Sequence, residues 1–274
     1  AVLFTTPLVP TRHLPPMGLP ETAPWLNSFW WRLFDLLLTR SWKPAMDRLY
    51  RREGVSPEPS VLFGVWRSGF LTLVSTSPAL FPPPPDWKES IHLCGLLDPA
   101  DPGSAPEMPE GLERFLEAGP PPVYMTFGSM LADDPEPRSI TALLVEAAWL
   151  AGCRAVVQSN WDEVGEIPLQ PDVFPVTRAP HDRVFPRCAA VVHHGGAGTT
   201  HAATAAGCPS VVVEHASDQP LWGAVLHRQD LAPRVLHRRS LTAVRLARAV
   251  RQVCDTPAMA RRARAVAARM AGED

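Results

Sequence analysis

The residues most able to do chemistry lie in the second half of the chain. His193 to Thr200 read HHGGAGTT, directly after the apolar run CAAVV and at the opening of THAATAAG. Gly195, Gly196 and Gly198 let a backbone turn sharply and approach a ligand closely, and the first amides of a following helix point outward unpaired. Such a turn is an anion site suited to a diphosphate. Glycine also serves tight turns in domains that bind nothing, so the turn by itself leaves both readings open. The pattern is neither GxGxxG nor the P-loop GxxxxGK, which speaks against dinucleotide redox enzymes and P-loop kinases. His193 and His194 stand side by side without HExxH or an equivalent spacing, and no metal site is expected.

Other candidates are weaker one by one. Phe127-Gly128-Ser129 closes the apolar run VYMTF with a glycine and a hydroxyl. That is more often a plain turn, but its place beyond the carboxyl end of a strand raises it. Asp218-Gln219-Pro220 opens a helix with proline at its start. Asp218 suits a helix cap, and the Asp-Gln pair also offers acceptors and donors to sugar hydroxyls. His181, in the segment APHD, follows another strand, and a lone histidine is usually structural. Trp161 has a ring able to stack on a base, with core packing as its default.

These positions need a frame. From residue 123 short apolar strands alternate with helices: strands at 123–127, 155–158, 173–176, 190–193 and 210–213, helices at 139–151, 182–185, 199–206, 221–228, 242–254 and 258–270. β-branched strands separated by helices mean a mainly parallel sheet covered on both faces, a doubly wound α/β domain. The candidates follow the carboxyl ends of these strands, where such folds bind ligands. Residues 98–122 are polar and rich in proline and glycine, with one short helix at 111–117, the composition of a linker. Residues 1–97 hold AVLFT, a proline-rich loop and an amphipathic helix over 25–42, whose apolar side chains recur at three- and four-residue steps. Lys43-Pro44 is expected to kink or end that helix. Short strands are expected at 61–65, 71–75 and 91–94, too little for a complete domain.

Composition bounds the function. Hydrophobic residues at 46% and charged residues at 20% describe an ordinary globular chain. A net charge of -2 gives no electrostatic case for nucleic acid. From Arg228 to Arg269 eleven arginines stand against Asp230 and Asp255 only. They read either as solvated helix faces or as a surface that attracts an anionic ligand or allows peripheral membrane contact. Five cysteines, odd in number and without a CxxC pair, suit free thiols in a reducing compartment, and a cytoplasmic location is expected. The opening AVLFTTP lacks a basic n-region, so no signal peptide is expected. The apolar stretch 25–42 is interrupted by Asn27, Arg32, Asp35 and Arg40 and fails as a membrane span.

Taken together and in this order, PPPVYMTFGSM (120–130), APHDRVFPRCAAVVHHGGAGTTHAATAAGCPSVVVE (179–214) and DQPLWGAVL (218–226) resemble family 1 glycosyltransferases. The branch they resemble most holds sterol glucosyltransferases and bacterial glycosyltransferases of antibiotic aglycones. The resemblance implies a GT-B type α/β fold, with a complete Rossmann-like donor domain over 123–274 after the remnant of an acceptor domain over 1–97. It implies that Gly128, Ser129, His194 and the segment Gly195, Gly196, Ala197, Gly198 and Thr199 hold a donor diphosphate. His181 would lie by the base, Asp218 and Gln219 would contact the hexose, and His193 would pack. The implied reaction is inverting, metal-independent transfer of a hexose from a UDP- or TDP-sugar to a hydroxyl of a hydrophobic small-molecule or lipid acceptor, without a cofactor. Two departures matter. Ala202 stands where the plant branch has an acidic residue for ribose, which leaves ribose recognition open. No residue matches the family's catalytic base, expected upstream of Ala1, so the chain is expected to be a fragment inactive alone. The alternative is a non-catalytic donor-binding subunit that works with a separate acceptor-domain chain.

Overall fold

The computed structural model describes residues 2–4, 7–16, 19, 22–66, 68–97, 106–131, 137–164 and 167–273. They fall into two compact units, Ala1–Leu97 and Asp98–Glu273.

In the first unit β1 (Val2–Phe4), β2 (Thr72–Val74) and β3 (Ile91–Leu93) form a parallel sheet in the order β1-β2-β3. The expected amphipathic helix is α1 (Pro24–Arg52), and it does not stop or restart at Lys43-Pro44. Proline there removes only one amide at an exposed position, and Lys43 grips Asp47, one turn on, at 2.8 Å and the Glu58 carbonyl, beyond the helix, at 3.3 Å. Asn27 and Trp31 form the buried side of α1: the Trp31 indole donates to the Leu14 carbonyl at 2.8 Å, and Asn27 Nδ2 donates to Arg12 O at 3.0 Å. The other side is apolar too, with Trp25, Phe29, Leu36 and Leu37 exposed.

Val61–Val65, expected as a strand, is a π-helical turn. Its amides find partners on α1 that a strand would not use: Val61 N donates to Thr39 Oγ1 at 2.9 Å and Leu62 N to Asp35 Oδ1 at 2.8 Å. Ser60 completes the turn by accepting from Phe63 N while donating to Asp35. Tertiary partners override the strand preference of Val61, Phe63 and Val65.

The second unit follows the expected alternation. It runs α2 (Leu112–Glu117), β4 (Val123–Met125), α3 (Pro137–Ala151), β5 (Ala155–Gln158), α4 (Trp161–Val164), β6 (Val173–Val176) and α5 (His181–Val184). Then come β7 (Ala190–His193), α6 (Ala197–Ala205), β8 (Ser210–Glu214), α7 (Gln219–Arg228), β9 (Leu236–His237), α8 (Ala243–Cys254) and α9 (Pro257–Met270). The sheet order is β6-β5-β4-β7-β8-β9, all parallel, the doubly wound order with its reversal between β4 and β7. The two-residue β9 is too short to show a period in sequence.

Alternation along each strand feeds two cores. Val123 and Met125 of β4 pack with Leu144, Val157, Leu246 and Val250 on one face, and Tyr124 with Val156, Phe185, Val191 and Ala203 on the other. Leu112 and Leu116 of α2 belong to the second core, so part of the segment with linker composition is built into this unit. Thr242 caps α8 by accepting from Arg245 N at 3.2 Å, and Leu246, Val250 and Val253 turn inward at helical spacing.

Candidate functional site

Because β4 and β7 are neighbours at the reversal, the turns that leave them open side by side. Gly128, with φ +54°, leads β4 into a 3-10 turn, Gly128–Leu131, and its amide donates to Thr126 Oγ1 at 3.0 Å. The side chain of Ser129 lies outside the described residues. Gly195, with φ +89°, turns the chain after β7 and donates its amide to His193 Nδ1 at 3.1 Å. A Cβ on Gly195 would come within 2.9 Å of Val212 Cγ1 and 3.2 Å of the Gln219 carbonyl, so both torsion and space demand glycine here. Gly196 caps α6, and the first amide bonded back into that helix is Thr200 N to Gly196 O. The amides of Ala197, Gly198 and Thr199 therefore remain at the positive end of the helix, free to meet an anion.

His194 completes this cradle. A Cβ on Gly196 would lie 2.3 Å from its Nε2 and one on Gly128 3.3 Å from its Cε1, so the imidazole occupies the space that the two glycines leave. Its Nδ1 is buried and bonded to no protein atom. Burial, then His215, push its pKa below the usual histidine value against the pull of Asp218. The ring is thus neutral at pH 7, an N–H donor without a charge. His193 is fully buried, and burial, His194 and His181 push its pKa down to about 3. Its role is to hold the Gly195 amide.

His181 stands at the start of α5, stacked on Phe185 with ring centres 4.3 Å apart and edge-on to Tyr124. Its Nε2 lies 3.4 Å from Gln158 Oε1, which also accepts from the Tyr124 hydroxyl at 2.7 Å. Burial lowers the His181 pKa. Gln158 and Tyr124 were not singled out in the sequence. A signal existed for Gln158, the one polar residue closing AVVQ at a carboxyl end. Trp161 packs rather than presenting its ring: its Nε1 donates to Val176 O at 3.2 Å and Val157 O at 3.3 Å, and the side chain lies against the core.

Gln219 and Asp218 sit at the start of α7, and Gln219 lies against Gly195. Gln219 is buried, and its Oε1 accepts from the amides of His215 at 2.6 Å and Ala216 at 3.1 Å, holding the loop after β8. Asp218 occupies the cap position but makes no capping bond; its carboxylate accepts from the Trp222 indole at 3.0 Å. His215, also not singled out, donates from Nδ1 to Val213 O at 3.0 Å and sets its ring edge-on to Phe127 at 4.9 Å, near enough to His194 to lower its pKa. Its position just beyond β8 was the available clue. Among the described residues no three or more His, Cys, Asp or Glu are grouped to hold a metal.

The structure thus brings Gly128, His194, the 195–199 turn and Gln219 together, with His181 close enough to His193 to depress its titration. The second unit is a doubly wound sheet with open helix amides at its reversal point, and solved glycosyltransferases share this fold. The calicheamicin glycosyltransferase CalG4 superposes with a TM-score of 0.61 at 19% identity over 86% of this chain and 60% of its own. Glycosyltransferase VinC, solved in complex with dTDP, gives 0.59 at 24% identity over 84% and 55%. Residues 153–274 match the family described as erythromycin biosynthesis protein CIII-like, C-terminal domain. Sterol 3-beta-glucosyltransferase UGT80A2 of Arabidopsis thaliana is 34% identical over 85% of this chain and 36% of its own length. O-mycaminosyltylonolide 6-deoxyallosyltransferase of Streptomyces fradiae is 38% identical over 72% of this chain and 45% of its own. The chain is similar to these glycosyltransferases over its own length, shares the GT-B fold, and spans less than half the length of either relative.

Proposed function

We propose that the second unit is the donor-binding domain of an inverting, metal-independent glycosyltransferase that moves a hexose from a UDP- or TDP-sugar to a hydroxyl of a hydrophobic acceptor. The observation that carries this reading is the His194 ring lodged between Gly128 and Gly196 at the start of α6, with Nδ1 buried and unbonded. Amide N–H groups and a neutral imidazole form a donor set that matches phosphate oxygens without a cation. The dTDP in VinC and the glucosyl and deoxyhexosyl transfers named for the relatives support the donor class.

In the reaction, a base taking the proton of the acceptor hydroxyl frees it to attack the anomeric carbon as the nucleoside diphosphate leaves. The contribution of this unit is to the leaving group: the α6 amides and His194 meet the growing negative charge, a term worth several kcal/mol when such donors are preorganised. Gln219 holds the loop beside the hexose position, and His181 with Gln158 offers polar atoms toward the base.

Calorimetric titration of the folded chain with UDP and with TDP, in chelator, tests the reading. Binding by the wild type that weakens at least about tenfold in His194→Ala is expected. A folded chain that binds neither nucleotide, or binds equally after the substitution, removes these residues from the donor site.

A further inference from the structure

The carboxyl end of β5 is held by more bonds than a turn needs. Ser159 N donates to Val176 O at 3.0 Å, and the Ser159 hydroxyl meets that of Thr141 on α3 at 2.8 Å, both side chains being buried. The Trp161 indole closes on Val176 O as well. On this fixed backbone stands half-buried Gln158. Its Oε1 is the target of two donors, the Tyr124 hydroxyl at 2.7 Å and His181 Nε2 at 3.4 Å. Tyr124 is wholly buried, and burial raises its pKa, so the phenol keeps its proton and donates it. With the oxygen turned toward these donors, the amide has one orientation. Its Nε2, which carries two N–H donors, bonds to no described residue.

Strand register relates this amide to the diphosphate cradle. Met125 of β4 pairs with Val157 and with Val192, so Gln158 and His193 stand level, one residue further on. Both lie on the face of Val156 and Val191, which packs with Ala203 of α6. Two strand spacings, roughly 10 Å, separate β5 from β7, a span that a ribose and its phosphate ester bridge. On the other flank Gly195 abuts Gln219, which leaves the β5 side for the nucleoside. We propose that Gln158 is a specificity-determining residue that donates to the ring carbonyl which uracil and thymine carry where cytosine has an amino group, with Tyr124 and His181 as its positioning residues. Cytosine in the same place would set its amino group against the Gln158 amide, donor against donor, with neither N–H paired. The inference rests on the donor reading and adds to it the residue that chooses the base.

Calorimetric titration of the 274-residue chain with UDP, TDP and CDP tests it. The wild type is expected to bind UDP and TDP at least about tenfold more tightly than CDP. Gln158→Glu keeps the length of the side chain and an oxygen for Tyr124 and His181 but offers the base an acceptor. The UDP-to-CDP affinity ratio should then fall about tenfold or more, whereas a role in folding alone would leave that ratio in place. Tyr124→Phe, which frees the amide to turn, should lower the ratio by a smaller factor. Equal binding of UDP and CDP by the wild type, or an unchanged ratio in the folded variants, would overturn the assignment and leave the His194 cradle standing. A folded chain that binds no nucleotide at all would remove the donor reading and the role of Gln158 with it.

Discussion

In the second unit Tyr124, Val156 and Val191 are wholly withdrawn from solvent, whereas in the first Trp25 is 73% exposed and Phe70 93%. Among the described residues the second unit has six parallel strands with helices on both faces, so nearly every apolar strand residue finds a core, Pro175 of the edge strand β6 being exposed. Among the described residues the first has three short strands and one long helix with apolar side chains on opposite sides, several of them exposed. The difference separates two uses of hydrophobic residues. In one they fix the strand ends to which a polar site is attached; in the other they remain available to something outside the unit.

The comparison breaks most directly through packing. Leu144→Ala empties a fully buried position between α3 and the sheet and should lower stability by about 2–5 kcal/mol in chemical denaturation. A loss no greater than that of an α1 surface variant would abolish the contrast.

Acid should weaken the same unit. Folded His193 stays neutral down to about pH 3. The unfolded chain protonates this residue below about pH 6.5. The unfolded state therefore binds more protons within that window, and stability falls as pH drops, by about 2 kcal/mol between pH 7 and 5. The depressed His181, His194 and His201 act in the same direction. His193→Phe should flatten the pH profile of the unfolding free energy; an unchanged slope would show that His193 is not held neutral.

A subtler probe is Gly196→Ala. The new methyl group meets His194 Nε2 and displaces the ring without touching the core, so nucleoside diphosphate affinity should fall about tenfold, or ~1.4 kcal/mol, with stability nearly kept. Normal affinity would mean that the position of the ring does not matter to binding. The smallest effect is expected for Phe29→Ala on α1, within about 0.5 kcal/mol in denaturant. A larger loss would show that this face is packed in solution and would sharpen the contrast differently.

Legibility follows the same division. Strands such as AVVQ, AVVH and SVVVE announce themselves because a buried parallel strand needs a short β-branched run, and their helices have clear starts. The HHGGAGTT turn was legible because glycine torsion and close approach are written in residue type. The 61–65 segment was not, since its shape depends on Asp35 and Thr39, more than twenty residues away. Tyr124, Gln158 and His215 escaped for a related reason: their place in the site comes from cross-strand and ring contacts, which leave no period in the sequence. Of the two roles open to Asp218 the cap is not taken, because the Trp222 indole, one helical turn on, donates to its carboxylate.

The adjacency of β4 and β7 has a consequence in time. Val123–Met125 and Ala190–His193 are separated by a long stretch of chain, yet the gap between their ends is where the cradle forms. A growing chain can pair β4 with β5 and β5 with β6 early, since those contacts are nearer in sequence, but Gly128 has no histidine beside it until the seventh strand docks. Nucleotide capture would therefore report completion of the sheet, and a bound diphosphate would draw the folding equilibrium toward the finished order of strands.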